Sequence, residues 1–211
     1  VDGGRSWSGR IEAFGGDKAW TAVDATGGLG DGHYYASWST ASNPWGRRLF
    51  TRSTDRGVTF EDPIVLQPAP IWGSMTVGPD GELYIGGNRD FNFSMFVLLR
   101  SLDAQDPEAA PTFDVFAVDL GGAQGSSGPA NPVGLLGQVW VDVDRSDGPL
   151  RGTVYMAASV DPPGPDPLDV HLVRSSDGGA TWSEPVRIHA DDRGATQWFA
   201  TMSVAPGGRI D

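Results

Sequence analysis

The chain has 211 residues, about the length of one domain. Its 15 basic and 27 acidic residues give a formal net charge of −12, which argues against nucleic-acid binding, because contacts with phosphates need clustered lysine and arginine. The sequence has no apolar run of about 18 residues, so we expect no membrane insertion. Without cysteine it also has no disulfide, thiolate nucleophile or cysteine-ligated metal site.

The composition is typical of many short β-strands. Thirty glycines and 16 prolines indicate frequent turns, while 8 Trp, 9 Phe and 4 Tyr supply large side chains for a core. Glycine or proline interrupts every long stretch with apolar residues at helical spacing, whereas two-residue alternation is frequent. The sequence therefore predicts an all-β fold.

One short motif recurs along the chain and indicates an internal repeat. Residues 52–60 read RSTDRGVTF, and residues 174–182 read RSSDGGATW. A partial copy, DGGRSW, occupies residues 2–7, and a copy with an insertion occupies residues 100–113. The closing aromatic residues stand at positions 7, 60, 113 and 182, which predicts one repeated supersecondary unit.

The same order of strands surrounds each full motif. An apolar strand ending in Arg-Ser precedes the motif, and a strand built around tyrosine lies before that one. A still earlier strand places Val23, Val77, Val143 and Val204 in equivalent positions, and a fourth strand follows the motif. Four short antiparallel strands per unit predict the blade of a β-propeller.

The predicted strands divide the chain into five segments. Residues 1–14 are expected to hold the last strand of one blade, 15–66 and 67–118 two full blades, 119–189 a blade with Gly/Pro-rich loop insertions, and 190–211 the start of the next. About four blades' worth of a propeller is thus covered. Because an open ring exposes unpaired strand edges, we expect further blades of the same propeller, or a second chain, to cover them.

The recurring motif has a mechanical explanation. Its Asp can accept backbone N–H bonds within a tight hairpin, the Ser two residues earlier can do likewise, and the Gly two residues later can take positive φ. The closing Trp or Phe then packs against the blade. We therefore predict a structural role for Asp2, Gly4, Trp7, Ser53, Asp55, Gly57, Phe60, Ser101, Asp103, Phe113, Ser175, Asp177, Gly179 and Trp182.

The strings SSDGGATW and STDRGVTF resemble the Asp box, or BNR repeat, of the sialidase-like (neuraminidase) β-propeller superfamily. Residues 17–28, DKAWTAVDATGG, followed by HYYASW, are also similar to a blade-opening sequence of that superfamily. The resemblance implies a six-bladed parent with its boxes on the face away from the catalytic pocket. It implies either an exo-sialidase type of glycoside hydrolase acting on glycans or a non-catalytic module that binds a glycan or a protein. In both cases it implies an exported protein, either secreted, periplasmic or at the cell surface.

Loops on the face opposite the boxes form the candidate ligand site. Carboxylates there would orient sugar hydroxyls, arginine would bind an anionic group, and tryptophan would stack on a sugar ring. The candidates are Trp45, Arg47, Trp72, Arg89, Asp90, Asp191, Asp192 and Arg193. A solvated turn is the alternative interpretation of the acidic pairs. No motif identifies the catalytic arginines, tyrosine, glutamate and aspartate that the resemblance implies.

Three neighbouring carboxylates are candidates for a calcium site. Asp142, Asp144 and Asp147 lie near a predicted turn, and oxygen-rich loops suit Ca²⁺. Their spacing departs by one residue from the usual calcium loop, and no Glu stands at its twelfth position. We otherwise expect no cofactor.

Overall fold

The computed structural model describes residues 3–7, 9–125, 137–165, 167–190 and 194–211. Within these ranges the chain forms thirteen β-strands and no helix. No helix capable of crossing a membrane therefore occurs in the described part of the chain. The strands assemble into three antiparallel sheets, which confirms the predicted all-β fold.

Sheet I is built from four strands in sequence order. They are β1 (Trp20–Val23), β2 (Tyr34–Ser37), β3 (Arg48–Ser53) and β4 (Ile64–Val65). Strand β3 reads RLFTRS and is buried at all but its first position, as expected for a strand covered on both faces.

Sheet II repeats the same order. It contains β5 (Ile71–Val77), β6 (Leu83–Asn88), β7 (Phe96–Ser101) and β8 (Asp114–Val118). Because side chains alternate along a strand, those of β6 and β7 point in turn toward sheet I and toward sheet III. Both faces are covered, which explains the continuous apolar run FVLL in β7.

Sheet III contains β10 (Trp140–Val143), β11 (Val154–Asp161), β12 (Asp169–Ser175) and β13 (Val186–Arg187). A short additional strand, β9 (Ala123–Gln124), pairs with the end of β11 and makes this sheet five-stranded. Strand β9 falls in a segment predicted to be a loop insertion, and two-residue pairing leaves no periodic signal in the sequence.

The three sheets pack side by side. One apolar cluster joins sheets I and II, a second joins sheets II and III, and β5 contacts both β1 and β10. The outer face of sheet III carries a third cluster, in which Tyr155 and Ala157 pack with Met202 and Val204. Each sheet therefore buries one face against the element that follows it in sequence.

The two ends of the chain hold little regular structure. The described residues between 3 and 14 form no strand, although a last strand is predicted there; a lone strand without a neighbour has no partner for its backbone groups. Near the other end, Val204 and Ile210 form an isolated antiparallel bridge. The five predicted segment boundaries remain predictions.

Aspartate organises the hairpin between β3 and β4. Asp55 Oδ1 accepts the backbone N–H of Val58 (3.0 Å) and of Thr59 (2.9 Å), and its Oδ2 accepts the Thr59 hydroxyl at 2.6 Å. Ser53 Oγ donates to Asp55 Oδ1 and accepts the Gly57 N–H at 2.8 Å. Gly57 adopts a φ of 81°, so the turn closes without a side-chain clash.

The same hydrogen bonds recur in sheets II and III. Asp177 accepts the backbone N–H and the hydroxyl of Thr181, at 2.8 and 2.6 Å. Asp103 accepts the equivalent groups of Thr112, also at 2.8 and 2.6 Å, although nine residues separate the pair instead of four. The segment 104–111 is five residues longer than its counterpart in sheet I, and it loops out of a hairpin whose base is unchanged. We call these three turns the box hairpins.

Hydrogen bonds hold the box carboxylates in their charged form. Donation from the Thr59 hydroxyl, Thr59 N–H and Ser53 lowers the pKa of Asp55 to about 2, and Thr181 and Ser175 do the same for the pKa of Asp177. At Asp103 burial acts to raise the pKa, but bonds from Thr112 and Ser101 outweigh it and leave the pKa below its ordinary value.

The closing aromatic residues differ in their packing. Phe113 packs edge-on against Phe50 at 5.2 Å, and Trp182 lies against the cluster between sheets II and III. Phe60 is half-buried. Trp7, which was expected to pack against a blade, is 88% exposed, because no sheet lies beside the described residues 3–7. Gly4 and Gly179 have positive φ, while Asp2 lies outside the described residues.

A buried arginine fastens sheet I to the box hairpin of sheet II. The guanidinium of Arg52 donates to the carbonyls of Ala104 (2.8 Å), Asp106 (2.7 Å) and Ala109 (2.7 Å). Its Nε also donates to Glu61 at 2.9 Å. Because these acceptors replace water around a side chain that is only 3% exposed, the buried charge is compensated.

Acid should weaken the fold through the box carboxylates. Since the folded-state pKa of Asp177 is lowered from 3.8 to about 2, its contribution is fully present above pH 3.8 and is lost as the pH falls through about 2. We expect the Asp177→Asn variant to lose less stability over this interval than the parent chain. Urea unfolding at a series of pH values measures the difference, and parallel curves would contradict the assignment.

Removing the guanidinium of Arg52 should destabilise the chain strongly. The Arg52→Gln variant leaves several buried carbonyls without donors, so we expect the free energy of unfolding to fall by about 3 kcal/mol. The control is Arg48→Gln, which removes an exposed charge from the same strand and should change stability by less than about 0.5 kcal/mol. Chemical unfolding measures both; equal effects would show that the contacts of Arg52 contribute nothing specific.

Candidate functional site

The order of the strands fixes which loops share one end of the molecule. In each sheet the turn between strands one and two and the box hairpin lie at the same end. The loops between strands two and three, and the links between sheets, lie at the opposite end. We call this opposite end the mouth, and all predicted ligand-binding residues in the described chain belong to it.

A backbone irregularity recurs at the mouth where sheets I and II begin. In sheet II the pairing shifts between Ile71, which pairs with Asn88, and Ser74, which pairs with Gly86. In sheet I, Ser39 donates its N–H to the Asp17 carbonyl at 3.0 Å, before regular pairing resumes at Trp20. Two residues thus bulge from each first strand, and such bulges redirect side chains.

The bulged position in sheets I and II, and the matching position before Val204, hold an unusual backbone conformation. Lys18 (φ 53°), Trp72 (φ 52°) and Phe199 (φ 60°) are left-handed, although none is glycine. Each stands five residues before one of the recurring valines, Val23, Val77 and Val204. Non-glycine residues of this kind carry a local cost and cluster at functional sites. The repetition indicates a built feature of the mouth.

Two of these residues line one cleft between sheets I and II. Lys18 and Trp72 face it together with Trp38, Ser39 and Pro70, among others. Lys18 lies 3.8 Å from Asp17, and both side chains are about one-third exposed. The indole N–H of Trp38 is buried and has no hydrogen-bond acceptor among the described residues. The cleft has a volume of only about 10 Å³, room for about one water molecule, so its cation, hydroxyl and aromatic ring border a narrow opening and not a cavity of ligand size.

Aromatic packing holds Trp72 in place. Its ring stacks on Phe93 with centroids 4.4 Å apart and planes 17° apart, and Phe91 meets Phe93 edge-on at 6.2 Å. Phe91 is 57% exposed. An indole supported in this way loses little side-chain entropy when a ligand stacks on it, because its rotamer is already fixed.

The other predicted residues of sheets I and II lie at the mouth but not in this cleft. Trp45 packs edge-on against Phe14 at 5.1 Å and donates its indole N–H to the Gly15 carbonyl at 3.1 Å. Arg47, two residues further on, is exposed. Trp45 is therefore part of the loop scaffold, and Arg47 is a cation at its rim.

Arg89 and Asp90 form a turn in sheet II. Asp90 Oδ1 accepts the N–H of Asn92 at 3.0 Å, and the Asp90 carbonyl accepts the N–H of Phe93. Arg89 is exposed, and its guanidinium approaches the Met95 sulfur at 3.8 Å. Asp90 thus shapes the loop that carries Phe93, and Arg89 leaves a second cation at the rim. Asp191, Asp192 and Arg193 lie outside the described residues.

Two of the three candidate calcium ligands are engaged elsewhere. Asp142 accepts the Thr76 hydroxyl at 2.8 Å and the Val204 N–H at 2.7 Å, so it joins neighbouring sheets. Asp144 is buried and accepts the Ser146 N–H within a turn, and Asp147 is exposed. In the described ranges no three His, Asp or Glu side chains gather closely enough to hold a metal ion. Hydrogen bonds within the chain therefore occupy Asp142 and Asp144.

Sequence analysis missed three residues that shape the mouth. Phe199 shares the left-handed conformation of Trp72 and its distance from a recurring valine, and Phe93 supports the Trp72 ring. Gln138 occupies the same position in sheet III and donates its side-chain amide to the Gly73 carbonyl at 2.6 Å. The spacing of five residues before each recurring valine is the signal that could have found all but Phe93.

Comparison with known proteins gives a fold but no family. No family model and no curated protein matches the sequence. Among solved structures, the chain is similar to a protein of unknown function from Dyadobacter fermentans, with a TM-score of 0.52 and 16% identity over 91% of this chain and 54% of that one. The chain thus spans about half the length of that protein. At this identity the likeness concerns the fold alone.

A second solved structure overlaps less well. It is the Bacteroides ovatus protein titled "Xyloglucan PUL GH43B", with a TM-score of 0.44 and 17% identity over 76% of this chain and 27% of that one. With a TM-score below 0.5, this likeness indicates neither the fold nor the function of the chain.

A side chain at Gly73 should disrupt the mouth. A Cβ added there would stand 1.7 Å from the Gly86 carbonyl oxygen, so the backbone of β6 would have to move. We expect Gly73→Ala to lower the free energy of unfolding by about 1–3 kcal/mol and to change the NMR contacts between Trp72 and Phe93. The control is Gly207→Ala, where an added Cβ meets nothing within 4 Å. Unchanged contacts in Gly73→Ala would show that the bulge does not depend on this glycine.

Proposed function

We propose that the chain is part of a sialidase-like Asp-box β-propeller whose mouth binds a glycan. The observation that carries the proposal is the bulge shared by sheets I and II, which directs the side chains of Lys18 and Trp72 toward one cleft between these sheets. Two unrelated residue types at equivalent, strained positions are better explained by a ligand than by packing.

The side chains around the opening of the cleft fit a sugar carrying an acidic group, which would lie across the mouth because the cleft itself holds only about 10 Å³. The apolar face of a sugar ring can stack on the supported indole of Trp72, and the ammonium of Lys18 can pair with a carboxylate. Arg47 and Arg89 place further positive charge at the same end of a chain whose net charge is −12. A local cation in an acidic protein favours an anionic ligand over a neutral one.

The arrangement of the sheets supports a propeller. Three antiparallel units follow one another, each with four strands in sequence order. Their first strands adjoin, and their box hairpins lie at the same end. We propose six blades in the complete ring, with the remaining blades or a second chain covering the open edges. The resemblance of the boxes also leads us to propose an exported protein.

Titration with sialyllactose tests the glycan site. We expect Trp72→Ala to weaken sialyllactose binding about tenfold, because the stacking surface is lost. We expect Lys18→Gln to weaken the binding of sialyllactose but not that of lactose, which has no carboxylate. Trp7→Ala is the matched control, since this tryptophan is 88% exposed and does not line the cleft. Isothermal titration calorimetry measures each affinity.

Two results would overturn the proposal. The first is the absence of binding to the parent chain, and the second is equal affinity in the parent and the Trp72→Ala variant. Incubation of the parent chain with a fluorogenic sialoside distinguishes hydrolysis from binding alone. Turnover would make the protein an exo-sialidase, and binding without turnover would make it a non-catalytic glycan-binding module.

A further inference from the structure

A tyrosine and an arginine form a cross-strand pair in each sheet. Strands two and three place Tyr35 opposite Arg52 in sheet I and Tyr84 opposite Arg100 in sheet II. Sheet III repeats the arrangement with Tyr155 opposite Arg174. Directly paired residues point to the same face of a sheet. In every case that face is turned toward the element that follows in sequence, because Tyr35, Tyr84 and Tyr155 belong to successive apolar clusters.

In the first two sheets this arginine docks on the next box hairpin. Arg52 donates to three carbonyls between residues 104 and 109 of sheet II. Arg100 donates to the Gly178 carbonyl of sheet III at 3.1 Å, and its guanidinium carbon lies 4.9 Å from the centre of the Phe116 ring. The contact is tight, because a Cβ on Gly178 would stand 2.5 Å from Arg100 Nη1.

The third arginine has no such acceptor. Arg174 is exposed, and its guanidinium makes no hydrogen bond to the part of the chain that the structure describes. Beside it lies a cleft of about 350 Å³ lined by Leu150, Thr153, Thr181 and Trp182. Arg52, in contrast, is 2% exposed, because the box hairpin of sheet II fills the equivalent cleft and shields its side chain from water.

The inner part of the same face is already covered. Met202 and Val204 pack on Tyr155 and its neighbours, and the Val204 N–H donates to Asp142. Val204 stands where Val77 and Val143 stand in the first strands of sheets II and III. The interfaces between sheets therefore continue beyond sheet III, and the cleft at Arg174 lies where the next box hairpin would fall. Because residues 202–204 occupy the inner position, a complete sheet from a second copy has no room there.

We propose that Arg174 is the docking donor for a box hairpin belonging to one additional four-stranded sheet, whose first strand is formed by residues 202–204. The hairpin would present a backbone carbonyl from the residue after its aspartate, as Gly178 does to Arg100. A guanidinium in a partly apolar cleft gains most from a fixed carbonyl acceptor that replaces water. This proposal rests on the propeller arrangement proposed above and names the contact that extends it.

A hairpin peptide offered to the 211-residue chain tests the contact. The probe spans residues 171–187, carries Gln in place of its own Arg174, and is closed by cysteines at His171 and Arg187, which are Cα partners in the sheet. NMR of the free peptide verifies the hairpin before use. Titration into isotope-labelled protein should shift the Arg174 Nε–H signal and give a measurable Kd.

Variants of the protein separate docking from general charge. We expect Arg174→Gln to raise the Kd at least tenfold and Arg174→Lys to raise it by a smaller factor, because lysine keeps the charge but loses the planar donor geometry. Arg151→Gln is the matched control. It removes a second arginine, whose side chain is 40% exposed, from the turn between β10 and β11, and it should leave the Kd within twofold.

The proposal is overturned if the verified hairpin does not bind, or if the Arg174→Gln variant binds it as tightly as the parent chain. Sialyllactose titrations on the same samples report on the mouth, at the opposite end of the sheets. A parent chain that binds sialyllactose but not the hairpin peptide therefore contradicts the docking contact alone. A parent chain that binds the peptide but not sialyllactose contradicts the glycan site and leaves the docking contact in place.

Discussion

The structure depends on a carboxylate that closes each box hairpin. Asp55, Asp103 and Asp177 each accept a backbone N–H and the hydroxyl of one threonine, and a serine two residues earlier completes the turn. These bonds hold a short loop rigid in water without a core of its own. A rigid loop presents fixed carbonyls, and fixed carbonyls are what the arginine of the preceding sheet requires.

The mouth follows a different principle. Its described loops vary in length and sequence between sheets, while the bulge recurs in sheets I and II. The residues at the left-handed position five before each valine differ in chemistry, being Lys18, Trp72 and Phe199. Hence the box end fixes how the sheets stack, and the mouth end is free to vary in sequence.

The sequence predicted the strands and box hairpins well because their interactions are local. Asp55 bonds to a threonine four residues away, and even the insertion after Asp103 leaves the flanking pattern legible. Contacts between distant residues leave no such trace. The residues next to Arg52 in the sequence do not reveal its carbonyl acceptors, which lie more than fifty residues later. The stacking of Trp72 on Phe93 likewise joins two loops that show no repeating sequence pattern. The mouth was therefore predicted as a region, while its cleft was not.

The longer hairpin of sheet II also makes the two interfaces unequal. Arg52 engages several carbonyls of residues 104–109 and is sealed from water, whereas Arg100 engages a single carbonyl and keeps a fifth of its side chain exposed. Solvent and dissolved ions therefore reach the guanidinium of Arg100 and are kept from that of Arg52, so salt concentration should act on the second of these contacts and leave the first unchanged.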